Sequence, residues 1–199
     1  MTRPLVLGSA SPRRRELLAQ VEPSFTVITA DADEGQFPDE PSNLYHARIV
    51  MAKLHAVCAK AKQSGLANAL VLVADTIVVL GDRVLGKPES EEDARRMLAG
   101  LADSEHEVRT RFVLAEVEGA AVVHAQTVTT TVWFRALESE EISAYVATGE
   151  PMDKAGAYGI QGRAASFVRA VEGSYTAVVG LPLAEVTVAL RAYGFARPR

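Results

Sequence analysis

Apolar positions in this chain recur in two rhythms, alternation at period two and repeats every three to four residues, and together these lay out most of the elements. Residues 4–7 form a short apolar run that enters the small-residue turn Gly8-Ser9-Ala10. A helix is predicted to follow, with Ser11 as its N-cap and Pro12 at its first position, where the missing N–H removes a donor that would have no partner anyway. Residues 25–30 alternate like a strand and end in the acidic loop 31–34. A helix of about 20 residues is predicted from near Ser42 to near Gly65, with Tyr45, Ile49, Ala52 and Ala56 on one face. Residues 70–80 are almost continuously apolar and β-branched, the pattern of a strand buried on both faces, with the carboxylate of Asp75 in its middle.

Gly81-Asp82 then predicts a tight hairpin turn that returns Lys87 beside that strand. Ser90, with Asp93 three residues on, opens a helix that ends at Gly100. Two runs of period two, 106–118 and 122–134, predict a long antiparallel hairpin around Glu118-Gly119-Ala120. A short helix over 138–148 closes at Gly149, and the glycine-rich stretch 150–162, which has no period, reads as a functional loop. A strand over 166–171, a turn at Gly173 and a C-terminal helix opened by Pro182 complete the pattern. The expectation is a single mixed α/β domain over 1–199, a mixed twisted sheet flanked by helices, with no repeat or linker dividing it.

Composition narrows the function. At 199 residues and 48% hydrophobic the chain can bury a sizeable core. Its apolar runs are far too short to span a bilayer and its N-terminus has no signal-peptide pattern, so no membrane partner and a cytoplasmic location are expected. A net charge of −4 leaves no basic stripe for a nucleic-acid backbone, so any polyanion site must be local. The one cysteine, Cys58, has no metal-ligand spacing around it and reads as an inert helix residue. His46, His55, His106 and His124 are scattered, and none pairs at the i, i+4 spacing of a helical zinc site.

Candidate chemistry gathers in a few places. The turn into the first helix would present unpaired N–H groups and the positive end of the helix dipole, with arginine forks beside them, as an anion site. Successive helical residues diverge by about 100 degrees, so Arg13, Arg14 and Arg15 cannot share one ligand, and Arg13 and Arg14 are the expected pair. A carboxylate in an apolar strand is costly to bury unless paired or metal-bound. Asp75 is therefore either part of a core polar network or a Mg2+ ligand or general base, with Lys87 supplying charge nearby. Glu34 is the natural second oxygen ligand for a hard cation, with an ordinary exposed loop carboxylate as the alternative. Lys53 lies among aliphatic neighbours, where its stem could equally snorkel to solvent. Gln161 offers the donor and acceptor that suit a pyrimidine edge; Lys154 sits in the same loop, where it could simply cap it beside Asp153.

Five motifs in order, Gly8-Ser-Ala-Ser-Pro-Arg-Arg14, Ala74-Asp-Thr76, Leu85-Gly-Lys-Pro88, Asp153-Lys-Ala-Gly-Ala-Tyr-Gly-Ile-Gln-Gly162 and Gly173-Ser-Tyr-x-x-Val-Val-Gly-Leu-Pro-Leu183, make the chain resemble the Maf family of nucleoside triphosphate pyrophosphatases over essentially its whole length. The resemblance implies a Maf/inosine-triphosphatase-like fold with two lobes around a cleft, a homodimer, and hydrolysis of the α–β phosphate bond with a divalent cation, Mg2+ or Mn2+. By motif, Ser9, Arg13 and Arg14 look like triphosphate contacts, Glu34 and Asp75 like a metal and water-activating pair, and Lys53 and Lys87 like charge stabilisers. Lys53 follows Arg48 at the family's spacing, while Val50 and Leu54 stand where alanine is common. The segment ending in Gln161 is similar to that of the subgroup acting on dTTP and UTP. The alternatives are a 7-methyl-GTP pyrophosphatase and a non-catalytic nucleotide-binding regulator of septum formation.

Overall fold

The computed structural model describes residues 3–197. Hydrogen bonding orders six strands as β2 (Thr26–Val27), β1 (Leu5–Gly8), β3 (Leu70–Leu80), β5 (Glu105–Glu116), β6 (Ala121–Phe134) and β7 (Val168–Glu172), with a seventh, β4 (Arg83–Leu85), paired on β3, and helices flank this mixed sheet. The chain divides into two compact units, Met1–Asp75 with Thr110–Thr127 and Gly180–Arg199, and Thr76–Arg109 with Val128–Val179.

In the first unit, β1 (Leu5–Gly8) runs parallel to β3 (Leu70–Leu80), with Leu5 opposite Leu70 and Gly8 opposite Val73. Parallel partners need a long crossover. Here it holds α1 (Pro12–Val21), β2 (Thr26–Val27) and α2 (Ser42–Gln63). Ser11 caps α1 as expected, its hydroxyl accepting from Arg14 N at 3.4 Å. Of the alternating run 25–30 only Thr26 and Val27 pair with β1; both are exposed, because this strand lies at the sheet edge. Gly8 is glycine for a packing reason: a Cβ there would stand 2.7 Å from Val73 Cγ1 and 3.0 Å from the Val57 methyls on α2. The glycine therefore lets the strand and helix approach each other.

The buried stripe of α2 is His46, Ile49, Val50, Leu54, Val57, Cys58 and Ala61. It shares Ile49 with the predicted face, while Tyr45, Ala52 and Ala56 are only half-buried. Val50 and Leu54 are fully enclosed, so the larger side chains at these positions fill core space. Cys58 is buried in the same stripe, where desolvation raises its thiol pKa and leaves it unreactive. At the end of the chain, α6 (Leu183–Arg191) packs against α1.

In the second unit the far end of β3 turns through Gly81 into β4 (Arg83–Leu85), with Val78 opposite Leu85. Next come α3 (Glu91–Leu101), capped by Ser90, and the adjoining parts of β5 (Glu105–Glu116) and β6 (Ala121–Phe134). The helix α4 (Ser139–Val146) opens on a capping box between Glu138 and Glu141 and packs against α3. A bulge between Trp133 and Phe134 interrupts the pairing of β6 with β7 (Val168–Glu172). A five-residue 3-10 turn, Arg163–Phe167, and the short α5 (Tyr175–Val179) complete the unit. Both are too brief to show a period. The core here is aromatic: Phe134 meets His106, Tyr158 and Phe167 edge-on.

Candidate active site

The register of β1 and β3 builds the centre of the first unit. With Gly8 opposite Val73, the turn at Ser9 and the carboxylate of Asp75 both emerge at the same end of the paired strands. Ser9 Oγ accepts from Ser11 N at 3.2 Å and from Arg14 Nη1 at 3.3 Å, while Arg14 Nε donates to Gly180 O at 2.8 Å. Desolvation pulls the Arg14 guanidinium below its ordinary pKa; Asp75 and Glu34 push it back up, and Arg13 presses it down. These opposing influences put all four charges in one neighbourhood. Arg13 is half-buried like Arg14, whereas Arg15 is exposed, as the divergence of adjacent helical residues requires.

Asp75 is 7% exposed, and its charge is met by Lys53. Lys53 Nζ donates to Asp75 Oδ1 and also lies 3.0 Å from Glu34 Oε1, so one ammonium holds a carboxylate from the strand and another from the acidic loop. The stem of Lys53 does not run out to solvent. On the inner side of Asp75, His46 Nε2 donates to Asp75 O at 3.1 Å and lies 3.8 Å from Oδ2. Burial lowers the His46 pKa, which keeps the ring neutral with its one proton on Nε2. Tyr45, on the exposed side of the same helix, donates to Glu34 O at 3.0 Å.

The second unit carries Lys87, Lys154 and Gln161. Lys87 is exposed just beyond β4, and the preceding Gly86 O accepts from Gly156 N at 3.0 Å, which ties that turn to the glycine-rich loop. The loop is two 3-10 turns, Glu150–Asp153 and Ala155–Ala157. Gly156 takes φ 68 against Val78, whose Cγ1 would stand 2.9 Å from a Cβ. Lys154 lies along Gly159 and donates to Glu150 O at 2.7 Å and Asp153 Oδ1 at 2.6 Å, so it braces the loop. Glu150 accepts from Tyr145 Oη at 3.1 Å and from Arg163 N at 3.2 Å, spanning the exposed Gln161. Below, buried Tyr158 and His106 share a hydrogen bond of 2.8 Å.

The structure thus brings Ser9, Arg13, Arg14, Glu34, Lys53 and Asp75 together in one unit and holds Lys87, Lys154 and Gln161 in the other. Sequence reasoning missed Tyr45, His46 and Glu150 and marked Arg48 only for its spacing. A signal for Tyr45 and Arg48 existed: at i, i+3 they share a helix face turned to the acidic loop.

The described residues hold no group of three or more His, Cys, Asp and Glu that could bind a metal on its own. The sequence profile of the family described as Maf-like protein matches residues 4–193. A protein of Anaeromyxobacter dehalogenans named dTTP/UTP pyrophosphatase is 48% identical over 98% of this chain and 96% of its own. Proteins of the same name from Yersinia pestis and Moorella thermoacetica are 49% and 48% identical, over 91% and 96% of this chain and 88% and 95% of theirs. Among solved structures, the Staphylococcus aureus Ham1 protein overlaps 65% of this chain and 70% of its own, at TM-score 0.42 and 14% identity. With a profile match spanning nearly all its length and relatives close to half identical from end to end, the chain belongs to the Maf family.

Proposed function

We propose that the protein is a nucleoside triphosphate pyrophosphatase that converts dTTP and UTP to the nucleoside monophosphate and pyrophosphate. The observation that carries this reading is the Lys53 ammonium shared by Asp75 and Glu34 beside the Ser9–Arg14 turn. It joins an oxygen pair for a cation, a base and an anion cradle in one unit. The name borne by the relatives from Anaeromyxobacter, Yersinia and Moorella supplies the substrates.

A divalent ion, Mg2+ or Mn2+, fits the residues present. Glu34 and Asp75 offer hard oxygen donors, and Lys53 shows that a single cation reaches both. Two carboxylates leave the remaining coordination to water and phosphate oxygens, the usual arrangement for Mg2+. Bound there, the ion would screen the triphosphate and draw electron density from the α phosphorus.

The side chains divide the remaining work. Ser9, Arg13 and Arg14 hold triphosphate oxygens. Asp75 takes a proton from water as its oxygen bonds to the α phosphorus, and the bond from that phosphorus to the bridging oxygen breaks, releasing pyrophosphate with the electron pair. Lys53 offsets the charge that accumulates on the phosphoryl oxygens. For Lys87, Lys154 and Gln161 the support is their motifs: charge stabilisation for Lys87, substrate contact for Lys154, and donor and acceptor pairing with the pyrimidine for Gln161. We infer a homodimer from the family resemblance and a cytoplasmic location from apolar runs too short to span a bilayer; no described helix is long and apolar enough to cross a membrane.

The test is a panel of dTTP, UTP, CTP, GTP and 7-methyl-GTP with Mg2+, with pyrophosphate measured separately from orthophosphate. Pyrophosphate from dTTP and UTP with little from the purines is expected. Release from 7-methyl-GTP alone would keep the reaction and overturn the specificity. Nucleotide binding without any release would overturn catalysis and leave a nucleotide-binding regulator.

A further inference from the structure

The acidic loop that delivers Glu34 has little regular structure of its own, yet one side chain of α2 holds it at three points. Arg48 Nε and Nη2 grip the Glu40 carboxylate at 2.7 Å each, and Nη2 also donates to Gly35 O at 2.6 Å. The guanidinium lies 4.0 Å from the ring centroid of Phe37. That contact gives a role to an aromatic ring left 56% exposed. Glu40 passes the grip on, since its Oε2 accepts from Phe37 N at 3.1 Å and its backbone O from the Gln36 amide at 3.0 Å. The hydrogen bond to Arg48 holds the Glu40 carboxyl below its usual pKa range, so the pair stays charged through neutral pH. One helical turn earlier, Tyr45 donates to Glu34 O. Two residues of one α2 face therefore fix the carbonyls of residues 34 and 35, which directly follow the Cα from which the Glu34 side chain leaves toward Lys53.

We propose that Arg48, with Tyr45 beside it, is the positioning residue that presents Glu34 for divalent-cation binding. This rests on the reading of Glu34 as a metal ligand. Arg48 bonds to main chain and to Glu40, leaving the Glu34 carboxylate free to move between Lys53 and a cation. Lysine would replace it poorly, because it has no planar fork to grip both oxygens of the Glu40 carboxylate while also reaching the Gly35 carbonyl.

The test measures Mn2+ binding by electron paramagnetic resonance in the presence of a non-hydrolysable α,β-methylene analogue of UTP, for the wild type, Arg48→Met and Glu34→Gln. The Mg2+ dependence of turnover and the KM for nucleotide at saturating Mg2+ are followed in parallel. Groups that orient a metal ligand are worth about 10- to 100-fold in metal affinity, so Arg48→Met should weaken Mn2+ binding by that factor while the nucleotide KM stays within about threefold. A merely structural role would not separate the two. Wild-type Mn2+ affinity in Arg48→Met beside weakened binding in Glu34→Gln would overturn the role of Arg48 alone. Wild-type affinity in both would remove Glu34 from the metal site, and the proposal with it. Should Arg48→Met fail to fold, Tyr45→Phe, which loses only the hydroxyl on Glu34 O, decides the matter: weakened Mn2+ binding supports the proposal and unchanged binding overturns it.

Discussion

Gly162 lies so close to Glu150 that a Cβ on it would stand 2.5 Å from the Glu150 Cδ and overlap Oε1. Its φ of −99 is open to any residue, so this contact and not the backbone angle demands glycine. Gly162→Ala should push Glu150 off Tyr145 and Arg163 N. Losing those bonds costs about 1–2 kcal/mol and lowers Tm by about 2–8 °C in a chain of this size. Differential scanning calorimetry checks this, and a Tm equal to wild type would show that Glu150 is not the strut of the loop.

Lys53 and Asp75 separate stability from chemistry. Lys53→Met strands a buried carboxylate, so unfolding free energy should fall by about 3 kcal/mol or more. Asp75→Asn should cost less stability and at least about 100-fold in kcat. In the double variant Lys53→Met/Asp75→Asn stability should recover while activity stays absent, the coupling expected of two groups in direct contact. Additive stability losses in urea unfolding would contradict the pairing.

Gln161 is exposed and held by its neighbours' backbone, so Gln161→Ala should leave Tm unchanged. Steady-state kinetics should show kcat/KM for dTTP and UTP reduced by about 10-fold or more, as the base loses a paired donor and acceptor. An unaltered preference across the nucleotide panel would remove Gln161 from base recognition.

His106 makes stability depend on pH. Burial lowers its pKa from 6.5 to about 4. The unfolded chain therefore takes up a proton first as the pH falls. The contribution is fully present above pH 6.5 and is lost progressively from there to about pH 4. Over that window the loss approaches about 3 kcal/mol. Thermal unfolding from pH 7.5 to 4.5 should show a steeper decline in wild type than in His106→Asn, and parallel curves would assign acid sensitivity elsewhere.

What the chain disclosed by itself was local. Ser11 and Ser90 as caps, the Gly81 turn and the doubly buried β3 each follow from a few adjacent residues, and each stands in the structure. Asp75 stood out for the same reason, as one charge within an apolar strand. The parts that escaped depend on distant partners. His46 looked like a scattered histidine until folding set it under a residue 29 positions away. The packing demand on Gly8 was hidden in the same way, since it comes from Val73 and from Val57 on α2. The stretch holding Glu150 and Lys154 gave no period because its 3-10 turns are only four and three residues long and side-chain braces leave no pattern.

The pairing of Leu5 with Leu70 also has a kinetic side. It closes a crossover containing two helices, and until it closes, Ser9 and Asp75 have no common edge to share. Such non-local pairing is slow compared with helix formation. After dilution from denaturant, helical signal should therefore return early and nucleotide hydrolysis only with the last, sheet-forming phase. A newly made chain spends that interval with its helices formed and with Ser9 and Asp75 still apart.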